Sequence, residues 1–191
     1  MLIAATRIEA GALRRELPHA RIVETGIALA NVDGPLGETV VSCGLAGGLR
    51  ADLPTGTLLL PRQVRRPDGR VFDCDAELVD AFARGARRLG IEPVFDPLLT
   101  AATIVNGAAR REWADRGFAG VDMETGRLEA ARVAAVRVIL DTPQHELSRD
   151  WDHPLRALLK PWNWPQAVWL AREAPRAARL AARVVAQVIR R

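Results

Sequence analysis

Short apolar runs that take turns with helical patterns constrain this chain more than any other feature of its sequence. Residues 1–6, 21–27, 39–43, 57–60, 98–105, 120–123 and 136–140 read as strands, each too short for an amphipathic helix. Between them, residues 9–17, 76–89, 108–116 and 124–133 carry helical character, with Pro18 closing the first helix and Gly90 the second. Asp33-Gly34-Pro35 and Pro67-Asp68-Gly69 mark turns. Strands alternating with helices predict an α/β fold with a mainly parallel or mixed central sheet and helices on both faces. In such a sheet, ligands bind where strands end at their carboxyl edge.

The 191 residues, 49% hydrophobic, suffice for one good core. Charge divides the chain. Residues 155–191 hold eight Lys or Arg against Glu173 alone, which leaves 19 basic and 22 acidic groups in residues 1–154. The expected organisation is therefore one domain over 1–154 and a basic, Trp/Arg-rich helical tail over 155–191. A near-neutral body offers no phosphate track, so nucleic acid is not an expected partner despite the high pI. Cys43 and Cys74 belong to no CxxC or Cys/His cluster, which argues against a disulfide framework or a zinc site and fits a reducing cytoplasm. No apolar run approaches the roughly 18 residues of a membrane span, and the N-terminus lacks the pattern of a signal peptide.

In the tail, Arg172, Arg176, Arg179 and Arg183 are spaced four, three and four apart and share one helical face, while Leu180, Val184 and Val188 form another. Trp151, Trp162, Trp164 and Trp169 fall before or at the start of this helix. Trp and Arg beside apolar surface suit an anionic membrane interface or a lipid-bearing substrate, which would place the protein at the inner membrane face. A helix packed on the body or on a partner subunit, with solvated arginines, fits the same pattern.

Three segments could carry chemistry. The run Ser42-Cys43-Gly44-Leu45-Ala46-Gly47-Gly48-Leu49 follows a strand, and its glycines allow backbone N–H groups to approach a phosphate or a sugar face; a tight connection explains it equally well. It has neither the P-loop nor the dinucleotide-binding spacing. Val121-Asp122-Met123-Glu124-Thr125 sets two carboxylates beside a methionine. A carboxylate suits a pair of ribose hydroxyls and Met an apolar sugar surface, although acids at a helix N-terminus need no further reason. Leu140-Asp141-Thr142 ends an apolar strand with an aspartate that partial desolvation can turn into a proton donor, or that simply caps a turn. Glu9 follows the first strand, near the same carboxyl edge.

In order, residues 4–13 (AATRIEAGAL), 40–49 (VVSCGLAGGL), 53–64 (LPTGTLLLPRQV), 103–107 (TIVNG), 121–126 (VDMETG) and 136–141 (VRVILD) resemble the purine and uridine phosphorylase superfamily, which includes methylthioadenosine/adenosylhomocysteine nucleosidase and futalosine hydrolase. The resemblance implies an enzyme that cleaves the N-glycosidic bond of a purine nucleoside-like substrate by phosphorolysis or hydrolysis. It implies Asp141 as the acid that protonates the purine and Glu9 as the carboxylate that activates water. Met123 and Glu124 are implied to hold the ribose, Ile104 and Val105 to contact the base, and Ala46 and Gly47 to line the sugar and anion side. No metal or organic cofactor is implied; phosphate would be a co-substrate if the reaction is phosphorolysis.

Residues 65–75 and the tail also resemble the hopanoid-associated phosphorylases, which implies an adenosylated hopanoid lipid as substrate. Expected partners are thus a small-molecule purine nucleoside or adenosylated lipid, an anionic membrane surface, and a second copy in a homodimer. Only 17 positions separate Glu124 from Asp141, short for the family, so the crossover is trimmed and its turn is expected at residues 133–135. That trimming supports the alternative, a catalytically idle binding protein or membrane-associated partner that retains the fold.

Overall fold

The structure, a computed structural model, describes residues 1–152 and 154–189. In chain order its first half comprises β1 (Leu2–Ala4), α1 (Arg7–Glu16), β2 (Ile22–Glu24), β3 (Thr39–Gly48), β4 (Leu58–Leu59), β5 (Gln63–Arg65), β6 (Val71–Asp73) and α2 (Ala76–Arg88). The second half comprises β7 (Leu98–Thr100), α3 (Gly107–Asp115), β8 (Gly120–Asp122), β9 (Arg132–Ile139), α4 (Pro154–Leu158) and α5 (Trp164–Ile189).

β3 is the spine of the sheet, and it forks. Its first part lies parallel between β1 and β9, with the β9 ladder running in register from Thr39↔Arg132 to Ala46↔Ile139. Its last residues, Gly47 and Gly48, leave that ladder and pair antiparallel with β8. One arm thus continues through β1 to β2 and through β9 to β4; the other continues through β8, β7 and β5 to β6. Five of the eight strand pairings are parallel, so the sheet is mixed and mainly parallel, with helices flanking it, as the alternating pattern predicts.

Several local expectations are corrected. Residues 124–133 form no helix: a single 3₁₀ turn, Thr125–Arg127, is followed by an extended return into β9. Asp122 accepts from Thr125 N–H and Thr100 Oγ1 from Gly126 N–H, which fixes the turn, and the β3 ladder takes up the chain from Arg132, so the residues between run extended. β9 therefore begins at Arg132, and residues 133–135 are strand, not turn. Residues 44–48 likewise continue β3 and are no loop. Their glycines are there for packing: a Cβ on Gly48 would lie 2.8 Å from Ile139 Cγ2, and the Gly48 N–H donates to Asp141 O across 2.7 Å. The β7 strand is shorter than expected, ending at Thr100, and the 67–69 turn closes an unanticipated β5–β6 hairpin.

The tail helix α5 is a layer of the fold. Its buried face, Ala174, Ala177, Ala178, Ala181, Ala182, Val184, Val185 and Ala186, packs on α1, α2 and the β3–β9 ladder. Small residues bring backbones close; a Cβ on Gly85 of α2 would meet Gln187 Cβ at 3.0 Å. Val185→Asp should cost upwards of about 3 kcal/mol by burying an unpaired charge, while Arg176→Ala on the exposed face should stay within about 0.5 kcal/mol. Urea denaturation of the two variants checks this, and equal effects would mean that α5 is not integral to the folded body.

Candidate active site

The fork in β3 opens a cavity of about 230 Å³ where the carboxyl ends of β1, β9 and β8 converge. Its wall includes Glu9, Ala46, Gly47, Ile104, Val105, Met123, Glu124 and Asp141, so every residue singled out from the sequence faces one space. They arrive from distant parts of the chain.

Glu9 is placed by the start of α1. Thr6 caps the helix, and Glu9 Oε2 accepts from both the Thr6 N–H and its hydroxyl at 2.8 Å, a reciprocal capping box. The other oxygen, Oε1, accepts from Leu45 N–H at 2.8 Å. Gly44 makes this approach possible: a Cβ there would overlap Glu9 Oε1 and lie 2.8 Å from Arg137 Nη1. The glycine run thus serves a carboxylate of the protein itself.

Asp122 forms the floor, and Arg137 lies behind it. Arg137, in the middle of the apolar β9, is 1% exposed and donates through Nη2 to Asp122 Oδ2 at 2.6 Å, Ser42 Oγ at 2.7 Å and Thr125 Oγ1 at 2.9 Å. Glu124 Oε2 lies 3.7 Å from the same nitrogen. Asp122 also accepts from Thr100 Oγ1 at 2.6 Å and from Thr125, so its lone pairs are committed to the protein. Only Arg137 Nε, among buried side-chain atoms of the described residues, has no partner.

Glu124, by contrast, stands at the cavity edge. Oε1 accepts from Ala28 N–H at 3.0 Å, a contact delivered by a loop in which Ala28 and Leu29 both hold left-handed φ values, 56° and 62°. Burial, and next the charge of Asp122, lift the Glu124 carboxyl to about 7 from its ordinary 4.5, against the opposing pull of Arg137.

Asp141 follows β9 and is 6% exposed. Its Oδ2 is ion-paired to Arg110 of α3. Arg110 is itself 1% exposed and held by Gly48 O at 2.9 Å and Val105 O at 3.1 Å, with Glu146 3.6 Å away. Oδ1 faces Gly47, where a Cβ would stand 3.0 Å from it. Sequence reasoning missed both buried arginines. Arg137 had a signal, a cation inside the run Val136–Leu140 that has no apolar reason to be there; Arg110 had none, since its neighbour Arg111 is exposed on the same helix.

Arg7 and Arg50, which lie near candidate anion loops in the sequence, do not serve the cavity. Arg7 is exposed 3.7 Å from Glu24, and Arg50 pairs with Asp52 and Asp96. Burial pushes the Cys43 and Cys74 thiols up to about 12, so neither is a nucleophile. Among the described residues no cluster of three metal-ligating side chains occurs.

The Glu124 shift has a consequence for stability. Between pH 4.5 and 7 the folded chain keeps a proton that the unfolded chain has released, so raising the pH through this window removes stability, up to about 1.4 kcal/mol per unit. Glu124→Gln carries no charge at any pH and loses this dependence. Its stability relative to wild type should rise from pH 4.5 to 7 and then level, as read by urea denaturation across a pH series; a flat difference would refute the shift.

Comparison with known proteins agrees with this fold. The helicobacterial 5'-methylthioadenosine/S-adenosyl homocysteine nucleosidase (Helicobacter pylori) superposes with a TM-score of 0.71 at 13% identity, covering 99% of this chain and 96% of that one. The futalosine hydrolase of Helicobacter pylori strain 26695 gives 0.72 at 13% identity over the same shares. The nucleosidase of Colwellia psychrerythraea, in complex with adenine, gives 0.70 at 20% identity, covering 98% and 92%. Among curated proteins none matches. The sequence pattern of the phosphorylase superfamily matches residues 20–190, nearly the whole chain, and with it the forked sheet and the cavity find their family: the chain belongs to the phosphorylase superfamily.

Proposed function

We propose that the chain cleaves the N-glycosidic bond of a purine nucleoside with water as the nucleophile. The observation that carries this reading is the convergence of Glu9, Glu124 and Asp141, from three separate elements, on one cavity with apolar walls at Ile104, Val105 and Met123. An idle binding protein has no need to bring three carboxyl groups together in a cavity with mostly apolar walls.

In this reading the base lies against Ile104 and Val105, and Asp141, held by Arg110 through Oδ2, passes a proton carried on Oδ1 to N7 as the bond from C1' to N9 breaks, and regains one from solvent after the base leaves. The electron pair leaves with the base, and the ribose becomes an oxocarbenium ion. Glu124 and Met123 hold the sugar, its hydroxyls displacing the Ala28 N–H from Glu124. Water adds to C1' while Glu9, already fixed by Thr6 and Leu45, accepts its proton.

Water is favoured over phosphate by charge. Four carboxyl groups, Glu9, Asp122, Glu124 and Asp141, line the cavity, and the guanidinium groups, Arg110 in the lining and Arg137 behind it, are already ion-paired with Asp141 and Asp122. Among the described lining residues no cation is left unpaired to meet a phosphate dianion.

The finer reading is an adenosylated lipid of the hopanoid kind as substrate. Leu147 at the cavity rim is shared with a second cavity of about 220 Å³, lined by His145, Pro165 and Trp169, where an apolar 5' substituent would extend. Such a substrate would be met at a membrane surface, although no helix among the described residues is long and apolar enough to cross one.

Incubation with adenosine, and with adenosine bearing a long alkyl 5' substituent, each with and without phosphate, tests the reading by chromatography of base and sugar. Adenine with free sugar is expected in both conditions, with higher kcat/KM for the alkylated compound. Asp141→Asn should lower kcat by about 10²–10⁴, the usual worth of a general acid. Phosphate-dependent release of a sugar 1-phosphate would replace water by phosphate. Absence of base release from every purine nucleoside would end the enzymatic reading.

A further inference from the structure

The outer face of α5 continues, without interruption, from an apolar end into an arginine row. Trp164, Val168, Arg172, Arg176, Arg179 and Arg183 follow one another at steps of four or three, so they form a single stripe along the exposed side of the helix. The helix's other side is committed to α1, α2 and the sheet. The apolar end of the stripe is extended by the segment before it, where Leu159 is 82% exposed and Trp162 69%. Trp164, Val168 and Leu158 are exposed beside them.

At the other end the row is widened by α1. Arg7 and Arg15 of α1 and Arg179 of α5 surround a cleft of about 180 Å³, floored by Gly11 and Pro175. Counted over both helices, seven arginines (Arg7, Arg14, Arg15, Arg172, Arg176, Arg179 and Arg183) stand against two acids outside the active-site cavity, Glu16 and Glu173. Glu173 pairs with Arg176 across 2.7 Å, and Glu24 of β2 lies 3.7 Å from Arg7.

We infer that this face of α1 and α5 docks on an anionic phospholipid bilayer, with α5 lying in the plane of the interface. Leu159, Trp162, Trp164 and Val168 enter the boundary between headgroups and acyl chains, where indole rings are favoured. The arginine row then runs along the headgroups, and a lipid phosphate occupies the cleft between Arg15 and Arg179. Charge complementarity selects the occupant. A second copy of this chain would bring the same arginines face to face, and a nucleic acid would leave Leu159 and Val168 against water or phosphate. The surface is independent of the cleavage reaction. It would set where the enzyme works, and α5's first two turns, through Pro165 and Trp169, border the second cavity beside the active site.

Co-sedimentation of the full chain with phosphatidylcholine vesicles, with and without phosphatidylglycerol, tests the inference. Wild type should pellet only with the anionic vesicles, with a blue shift of tryptophan emission, and be released as added salt shortens the Debye length to about 3 Å. The Arg15→Gln, Arg172→Gln, Arg179→Gln triple variant should bind on the order of a hundredfold more weakly, from about 1 kcal/mol per basic residue at the surface. The Leu159→Ser, Trp162→Ser variant should keep the preference for anionic lipid and lose most of the affinity. All five positions are exposed or half-exposed, so folding is spared, and adenine release from soluble adenosine should be unchanged in both variants. Failure of wild type to pellet with anionic vesicles, equal pelleting of wild type and the triple variant, or lipid-free self-association abolished by Leu159→Ser, Trp162→Ser would each overturn the inference. None of these outcomes bears on base release, so the two readings fail separately.

Discussion

A buried cation holds the centre of this protein. Arg137 sits in the middle of β9, within a ladder whose neighbours are Val, Ala and Ile, and every charge it meets belongs to the protein: Asp122 in contact, Glu124 at 3.7 Å and Glu9 across Gly44. Taking a guanidinium out of water costs several kcal/mol after relaxation, and truncating one member of such a pair typically costs about 3–5 kcal/mol. That cost is offset by hydrogen bonds that also fix the geometry. Ser42 from β3, Thr125 from the turn after β8 and Asp122 from β8 all converge on one nitrogen, which ties the two arms of the forked sheet together at the cavity floor.

The same constraint explains why a carboxyl group beside it behaves differently from its neighbours. Asp122 is fully engaged by Arg137, Thr100 and Thr125 and so acts as structure. Glu124, two residues on, receives only the edge of the guanidinium's field and a single good hydrogen bond from Ala28, while it bears the full repulsion of Asp122. One arginine thus divides the acidic pair into an anchor and a group free to exchange partners.

The alternation of elements and the acids at the strand ends were legible because both follow from local rules: short apolar runs make strands, and a polar residue at the end of such a run must face a crevice or solvent. Glu9, Glu124 and Asp141 were found in that way, aided by family resemblance. What escaped was whatever depends on partners far along the chain. The helix expected over 124–133 failed because β3, a partner far upstream, pairs with the chain from Arg132 on and leaves no length for it. The glycines of β3 were legible as a close approach, but at Gly44 and Gly48 the approaching groups are the Glu9 carboxylate and Ile139 of the neighbouring strand, while Gly47 lines the cavity. Arg110 could not be told from Arg111 without knowing which side of α3 faces Asp141. The amphipathic stripe of α5 was visible in its spacing, whereas its extension by α1 arises only when the two helices pack.

The register of β3 against β9 also decides how this architecture can change over evolutionary time. Eight consecutive pairs, from Thr39↔Arg132 to Ala46↔Ile139, set Gly44 opposite Arg137 and bring Asp141 to the point where Gly47 departs. A one-residue insertion in either strand would turn Arg137 to the opposite face of the sheet and strand Asp122 without its counter-charge. Lineages can therefore lengthen, shorten or replace the connections at 25–38 and 143–163, and so retune what enters the cavity, while the two strands behave as a fixed ruler against which every viable variant is measured.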